Sequence, residues 1–171
     1  MRSVLFDIEA TGLLRQNSQI HCIVVRDLDY PEEPCVFDDR PGQPIVSGVR
    51  LLEQASHLVG HNVASYDIPL LKERYPSFKP SGQVLDTLVL SRLYYPTIID
   101  RDYSIRHGGM PVRLYGRHSL EAWGHRLRCH KGDYTGGWET YTPEMLDYCI
   151  QDTAVNMKLW ETMKRRMDEN S

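Results

Sequence analysis

In the run Phe6-Asp7-Ile8-Glu9-Ala10-Thr11-Gly12-Leu13, two carboxylates occupy alternate positions of an otherwise apolar segment close to the N-terminus. In a strand, residues i and i+2 point to the same face. Asp7 and Glu9 therefore project together, while Phe6 and Ile8 face the opposite way into a core. Two adjacent anions on a half-buried strand repel each other and call for a cation. A lone D-x-E also fits an exposed strand end with two solvated acids, so the pair acquires meaning only from the other acids in the chain.

Two further acidic positions join it. Near the C-terminus, Tyr148 and Asp152 are four residues apart in a segment of helical periodicity, which stacks them on one helix face among apolar neighbours. A buried aspartate left charged and unpaired costs several kcal/mol, roughly, so Asp152 needs a cation, a metal or several hydrogen bonds. In the middle of the chain, Asp67 follows His61-Asn62-Val63-Ala64-Ser65-Tyr66 and opens an apolar helix, where it could serve simply as a cap. Taken together, Asp7, Glu9, Asp67 and Asp152 form a hard, oxygen-rich set without sulfur ligands. Such a set favours two Mg²⁺ or Mn²⁺ ions over zinc. Two such ions roughly 3.5–4 Å apart can activate a water and stabilise the leaving oxygen of an in-line phosphoryl displacement.

The elements needed to carry these residues are legible as an α/β pattern. Ser3–Ile8 and Ile20–Leu28 have the apolar content of buried strands, with a turn near Asn17-Ser18, and a short third strand lies around Cys35-Val36-Phe37. Val46–Ala55 has helical spacing. Leu58-Val59-Gly60 suits an interior strand, followed by a helix over Asp67–Arg74, a strand at Val84-Leu85-Asp86 and a helix over Thr87–Tyr94. Tyr95–Gly116, rich in prolines, glycines and charges, is expected to be an irregular basic arm. His118–Leu127 reads as a helix with Ser119 near its start, and a glycine-rich connection leads to the last one. There Thr142 is an N-cap, Pro143 suits the first turn, and Met145, Tyr148, Cys149, Asp152, Val155, Leu159 and Met163 continue at helical spacing.

At 171 residues and 41% hydrophobic content the chain fits a single domain, 1–171. It has no run of eighteen or so apolar residues and no cleavable leader, so no membrane association and a cytoplasmic location are expected. Cys22, Cys35, Cys129 and Cys149 lack C-x-x-C spacing and are expected as free thiols. The net charge of −3 is unevenly spread: Arg101–Lys131 holds seven Lys or Arg against Asp102 and Glu121. Such a stretch could follow a phosphate backbone, with Tyr103 and Tyr115 available to stack on bases.

These motifs resemble the three exonuclease motifs of the DEDD superfamily, tyrosine subclass. The run Asp86-Thr87-Leu88-Val89-Leu90-Ser91-Arg92-Leu93, the stretch His118–Leu127 with Leu120-Glu121-Ala122-Trp123-Gly124, and Asp147–Asp152 are similar to the proofreading domain of family A phage DNA polymerases. The resemblance runs in order along nearly the whole chain. It implies a ribonuclease H-like fold, a mixed sheet flanked by helices, with Asp7, Glu9, Asp67 and Asp152 as ligands of two divalent ions. It also implies that Tyr148 orients the attacking water, that Thr11, Gly12 and Leu13 meet the 3′-terminal nucleotide, and that Asn62 and Tyr66 contact the penultimate nucleotide or the backbone. The expected activity is 3′→5′ removal of nucleoside 5′-monophosphates from single-stranded or frayed DNA ends. The alternatives are an RNA exonuclease of the same subclass and a non-catalytic nucleic-acid or polymerase-binding module. The connection from Tyr134 to Thr142 is shorter than the family pattern. With no polymerase domain after the last helix, the expectation is a free-standing exonuclease, with a separately encoded polymerase as a possible partner.

Overall fold

The computed structural model describes residues 2–12, 14, 18–130 and 132–169. Its centre is a five-stranded mixed sheet in the order β3-β2-β1-β4-β5. The strands are β1 (Ser3–Ala10), β2 (Ile20–Asp27), β3 (Cys35–Phe37), β4 (His57–Gly60) and β5 (Gln83–Asp86). β1 pairs antiparallel with β2 and parallel with β4, and β4 is parallel to β5. The first three strands are thus a meander, and the last two return through helices. β1, the central strand, carries Asp7 and Glu9.

The alternation expected of β1 is realised. Val4, Phe6, Ile8 and Ala10 join the cluster containing Ile45, Val49 and Leu52 of α1 (Ile45–Gln54) and Ile68, Leu70 and Leu71 of α2 (Asp67–Arg74). Leu5, with Val59 of β4, packs instead on Met157 and Trp160 of α6 (Pro143–Glu169). Period 2 therefore commits Asp7 and Glu9 to the α6 side of the sheet.

α6 is held there at both ends of its contact. Thr142 Oγ1 accepts the Met145 N–H at 3.1 Å, the expected cap. Arg26 of β2, 7% exposed, donates from Nε to Thr153 Oγ1 at 2.8 Å and from Nη2 to the Ile150 carbonyl at 3.3 Å. These bonds fix the turn of α6 that contains Asp152.

β4 ends at a glycine for a steric reason: a Cβ on Gly60 would lie 2.0 Å from Val63 Cγ1. The chain then turns through Asn62, whose φ of +63° is a conformation that asparagine tolerates. Asp86 organises this turn. Its carboxylate accepts the N–H groups of Asn62 (2.9 Å) and Ala64 (3.1 Å) and also caps α3 (Thr87–Tyr94) through Leu88 N–H at 2.9 Å.

The segment expected to be an irregular arm is more ordered than its sequence suggests. It contains α4 (Ile98–Ile105) and a short 3-10 turn at Val112–Leu114 before α5 (Leu120–Arg126), which Ser119 caps. The reason is a buried ion pair. Asp102 of α4 and Arg126 of α5 have side chains 0% and 3% exposed, joined at 2.9 Å (Nε) and 2.7 Å (Nη2). Asp102 also accepts the Gly116 N–H at 2.9 Å, so one carboxylate gathers α4, α5 and the loop between them. None of the four cysteines is in a disulfide. Among the described residues, no helix is long and apolar enough to cross a membrane.

Candidate active site

Asp7 and Glu9 from β1, Asp67 from the first turn of α2, and Tyr148 and Asp152 from α6 converge at the end of the central strands. Asp67 is not the cap itself: Tyr66 precedes the helix and Asp67 is its first residue, buried at 3% exposure. Beyond Leu5, β1 no longer pairs with β4, and the Ile8 N–H is turned toward the carboxylates of Asp7 and Asp67. Asp67 Oδ1 is buried with no hydrogen-bond partner.

The electrostatics are those of anions in one another's field. Burial, then the neighbouring carboxylates, push Asp7 and Asp152 up to about 8 and raise Glu9 further. Burial also raises Asp67. Among the described residues, no lysine or arginine offsets these carboxylates. The Tyr148 hydroxyl donates to Asp152, and burial together with the nearby carboxylates raises its pKa above the ordinary phenol value. The phenol therefore stays protonated at neutral pH and can hold or orient a group but cannot act as a bulk base.

This cluster suits divalent metal ions on the evidence of its own donors. It offers two buried carboxylates, Glu9 and Asp67, and two half-buried ones, Asp7 and Asp152, with one orphaned oxygen on Asp67 and, among the described residues, no compensating cation. The oxygen donors are hard. Asp7, Glu9 and the Cys149 thiol bring ligand atoms within 4.8 Å of one another, and the thiol donates to Asp7 Oδ2 at 3.5 Å. Cys149 was legible only as a thiol next to Tyr148; its contact with Asp7 depends on the docking of α6 against β1.

Of the cavities that touch the cluster, two hold residues expected to meet substrate. A groove of about 530 Å³ is lined by Asp7, Tyr148 and Asp152 together with His61, Asn62, Arg92, Arg117 and His118. Burial holds His61 neutral, with its pKa lowered to about 4. Its Nδ1 is 2.9 Å from Thr87 Oγ1, which in turn bonds Asn156 Oδ1 on α6 at 2.7 Å. A smaller cavity of about 340 Å³ is lined by Glu9, Ala10, Gly12, Tyr66 and Trp138.

The residues expected to meet substrate are divided between these spaces. Asn62 lies in the groove, whereas Gly12 and Tyr66 line the smaller cavity, with the Tyr66 hydroxyl donating to the Gly12 carbonyl. Gly12 has a φ of +91°, which explains the glycine. Thr11 builds the turn instead: its Oγ1 accepts the Gln19 N–H at 2.9 Å. Leu13 lies outside the described residues, as does Lys131.

The basic stretch contributes less to the groove than its count suggests. Arg126 is buried on Asp102 and Arg113 pairs with Glu121 at 2.6 Å, leaving Arg117 and His118 of that stretch on the groove wall. Tyr103 and Tyr115 pack edge-to-face on each other, with centroids 5.1 Å apart. Arg92 of α3 and Trp138 were not singled out by their spacing. The one signal for Trp138 is an aromatic residue in a glycine-rich connection.

Residues 4–164 match the family model of the RNase H superfamily. The chain belongs to that superfamily. It is 30% identical over 184 aligned positions to the DNA-directed DNA polymerase of Escherichia phage T7, covering 94% of this chain but 26% of the polymerase. It therefore spans about a quarter of that relative. Among solved structures, it resembles Brucella melitensis NrnC with bound Mg²⁺ (TM-score 0.64, 19% identity, 99% of this chain and 75% of that one). It also resembles Escherichia coli RNase D, an exoribonuclease involved in structured RNA processing (TM-score 0.66, 12% identity, 98% and 40%). These two likenesses bear out the ribonuclease H-like fold expected from the sequence.

Proposed function

We propose that this domain is a metal-dependent 3′→5′ exodeoxyribonuclease, with Asp7, Glu9, Asp67 and Asp152 holding two divalent ions, Mg²⁺ or Mn²⁺. The observation that carries the proposal is the carboxylate cluster itself, which includes a buried Asp67 oxygen with no partner and opens on a groove also lined by Arg92 and Arg117. Divalent ions bound there would supply an activated water and neutralise the leaving oxygen of the phosphodiester.

The remaining roles fall to side chains of this protein. Tyr148, kept protonated and tied to Asp152, orients the attacking water. Arg92 and Arg117 line the same groove as the acids and hold the phosphate backbone of the strand entering it. The groove is open at the surface and suits a single strand. The product is a nucleoside 5′-monophosphate, and the substrate a single-stranded or frayed 3′ end. Kinship with a quarter of a phage DNA polymerase favours DNA and a role in replication or proofreading, with a polymerase as working partner.

Digestion of 5′-labelled and 3′-labelled single-stranded DNA, with a matched RNA alongside, tests this in Mg²⁺, Mn²⁺ and EDTA. Stepwise shortening of the 5′-labelled DNA, mononucleotide release from the 3′ label and no reaction in EDTA are expected. A preference for RNA, in keeping with the exoribonuclease described for RNase D, would replace the substrate but keep the site. Inertness toward both polymers in every metal would instead favour a non-catalytic binding module.

A further inference from the structure

Trp138 touches two parts of the site that otherwise have separate jobs. On one side its ring packs against Tyr148, centroids 6.2 Å apart at 70°, and against Tyr134 at 4.8 Å, while Tyr134 lies 5.6 Å from Tyr148. On the other side it walls the smaller cavity opposite Tyr66. The loop bearing it is braced. The His21 side chain donates from Nε2 to the Trp138 carbonyl at 2.8 Å, the carbonyl fixing that nitrogen as the donor. The Tyr134 hydroxyl donates to the Gly137 carbonyl at 2.8 Å. His21 itself occupies a β-bulge, the extra residue where Glu9 pairs with Cys22 and Ala10 with Ile20. The backbone is thus tied to the sheet beside Glu9, and the indole ring joins the cavity to Tyr148.

The cavity has the chemistry of a nucleobase site. Its volume of about 340 Å³ lies near the lower end for small-ligand pockets, roughly 300–1,000 Å³. Two aromatic rings and the small residues Ala10 and Gly12 line it, and Glu9 at one edge disfavours a phosphate inside it. A flat, uncharged ring seated there would leave its sugar and phosphate toward Glu9 and Asp7.

We propose that Trp138 is a positioning residue that couples occupation of this cavity by the 3′-terminal base to the placement of Tyr148. A base stacked on the indole would press it against Tyr134 and Tyr148, adding to the ring contacts already present and narrowing the swing of the Tyr148 hydroxyl. With the cavity empty, those ring contacts and the bond to Asp152 act without that clamp. The proposal rests on the exonuclease reading and adds to it that the enzyme turns over fully only when the terminal residue carries a base.

The test compares the full chain and its Trp138→Ala and Trp138→Phe variants on two 5′-labelled strands. One strand ends in an ordinary nucleotide and the other in an abasic deoxyribose. Stacking of a base on an aromatic ring is worth roughly tenfold or more. Wild type is therefore expected to show a kcat about tenfold lower on the abasic end. Trp138→Ala should lower kcat on the ordinary end to that level with no further loss on the abasic one, and Trp138→Phe should recover most of the difference. A merely structural role for Trp138 would depress both substrates in parallel. As a readout apart from turnover, a nucleoside 5′-monophosphate should quench the indole fluorescence of wild type more than that of Trp138→Phe, while deoxyribose 5-phosphate should quench neither. An active enzyme indifferent to the missing base, or a Trp138→Ala variant that still discriminates, overturns the coupling and leaves the exonuclease standing. A protein that cleaves neither strand overturns both.

Discussion

Two aspartates withdrawn from solvent, Asp102 beneath the arm and Asp7 in the acidic cluster, have had their charge resolved in opposite ways. Around Asp102, burial alone would raise the carboxyl pKa, but the Arg126 hydrogen bonds, the Gly116 N–H and the guanidinium charge outweigh it, and the group is held below the usual range. Around Asp7, burial acts together with the charge of Asp67, and the carboxyl is pushed up to about 8. The first acid is complete within the fold. Among the described residues the second, like Glu9 and Asp152 beside it, has only other acids and weak donors for company. An anion satisfied by its own chain supports structure, whereas anions gathered without a counter-charge mark the place where a cation from solution belongs.

Breaking each half separately sharpens the contrast. Asp7→Ala should reduce cleavage by more than about 10²-fold, since loss even of an outer-shell partner costs about 10–100-fold. The fold should remain intact because the substitution also relieves anionic repulsion. Near wild-type rates for a folded Asp7→Ala protein would refute the site. Asp102→Ala should do the reverse, leaving Arg126 buried and unpaired. A loss of about 3–5 kcal/mol in urea denaturation is expected, and a variant as stable as wild type would show that the pair does not hold the arm. The third and smallest effect lies in the pH dependence of the metal-free protein. Carboxyls raised from about 4 when unfolded to about 8 when folded bind protons more tightly in the native state. Their contribution is then fully present below about pH 4 and is lost as pH climbs toward 8. In EDTA the melting temperature should fall by about 3 °C or more between pH 5 and pH 8. Mn²⁺ should restore it at pH 8 and have little effect at pH 5. Asp102 contributes in the opposite sense, above its depressed pKa, and weakens only at lower pH. A flat or rising melting curve in EDTA across that window would show that the acids are not mutually destabilising.

The same contrast explains how much of the molecule the sequence disclosed. β1 could be read because its apolar residues and its two acids alternate with the period of a strand, and α6 because a cap, a proline and a long helical period coincide. Asp67 could be read because it opens an apolar helix. α4 could not: of Ile98–Ile105, the described buried residues are Ile98 and Asp102, so no apolar stripe exists to be found. What stabilises that helix is an arginine 24 residues further on. In Arg101–Lys131 a count of charges likewise does not reveal that Arg126 and Arg113 are paired with Asp102 and Glu121. Trp138 and Cys149 depend on how the glycine-rich loop and α6 lie against β1 and β2, contacts spanning more than a hundred residues of chain. No local pattern encodes them.

Gly60 touches neither cavity, yet it bears on the history open to this protein. With Val63 Cγ1 and the Phe6 carbonyl crowding the position where a Cβ would sit, every other residue type there would push apart β4 and the turn that presents His61 and Asn62. In genetic terms the codon for residue 60 is expected to tolerate little change. It would be conserved for want of space, and a catalogue of inactivating substitutions would place it beside residues whose chemistry it does not share.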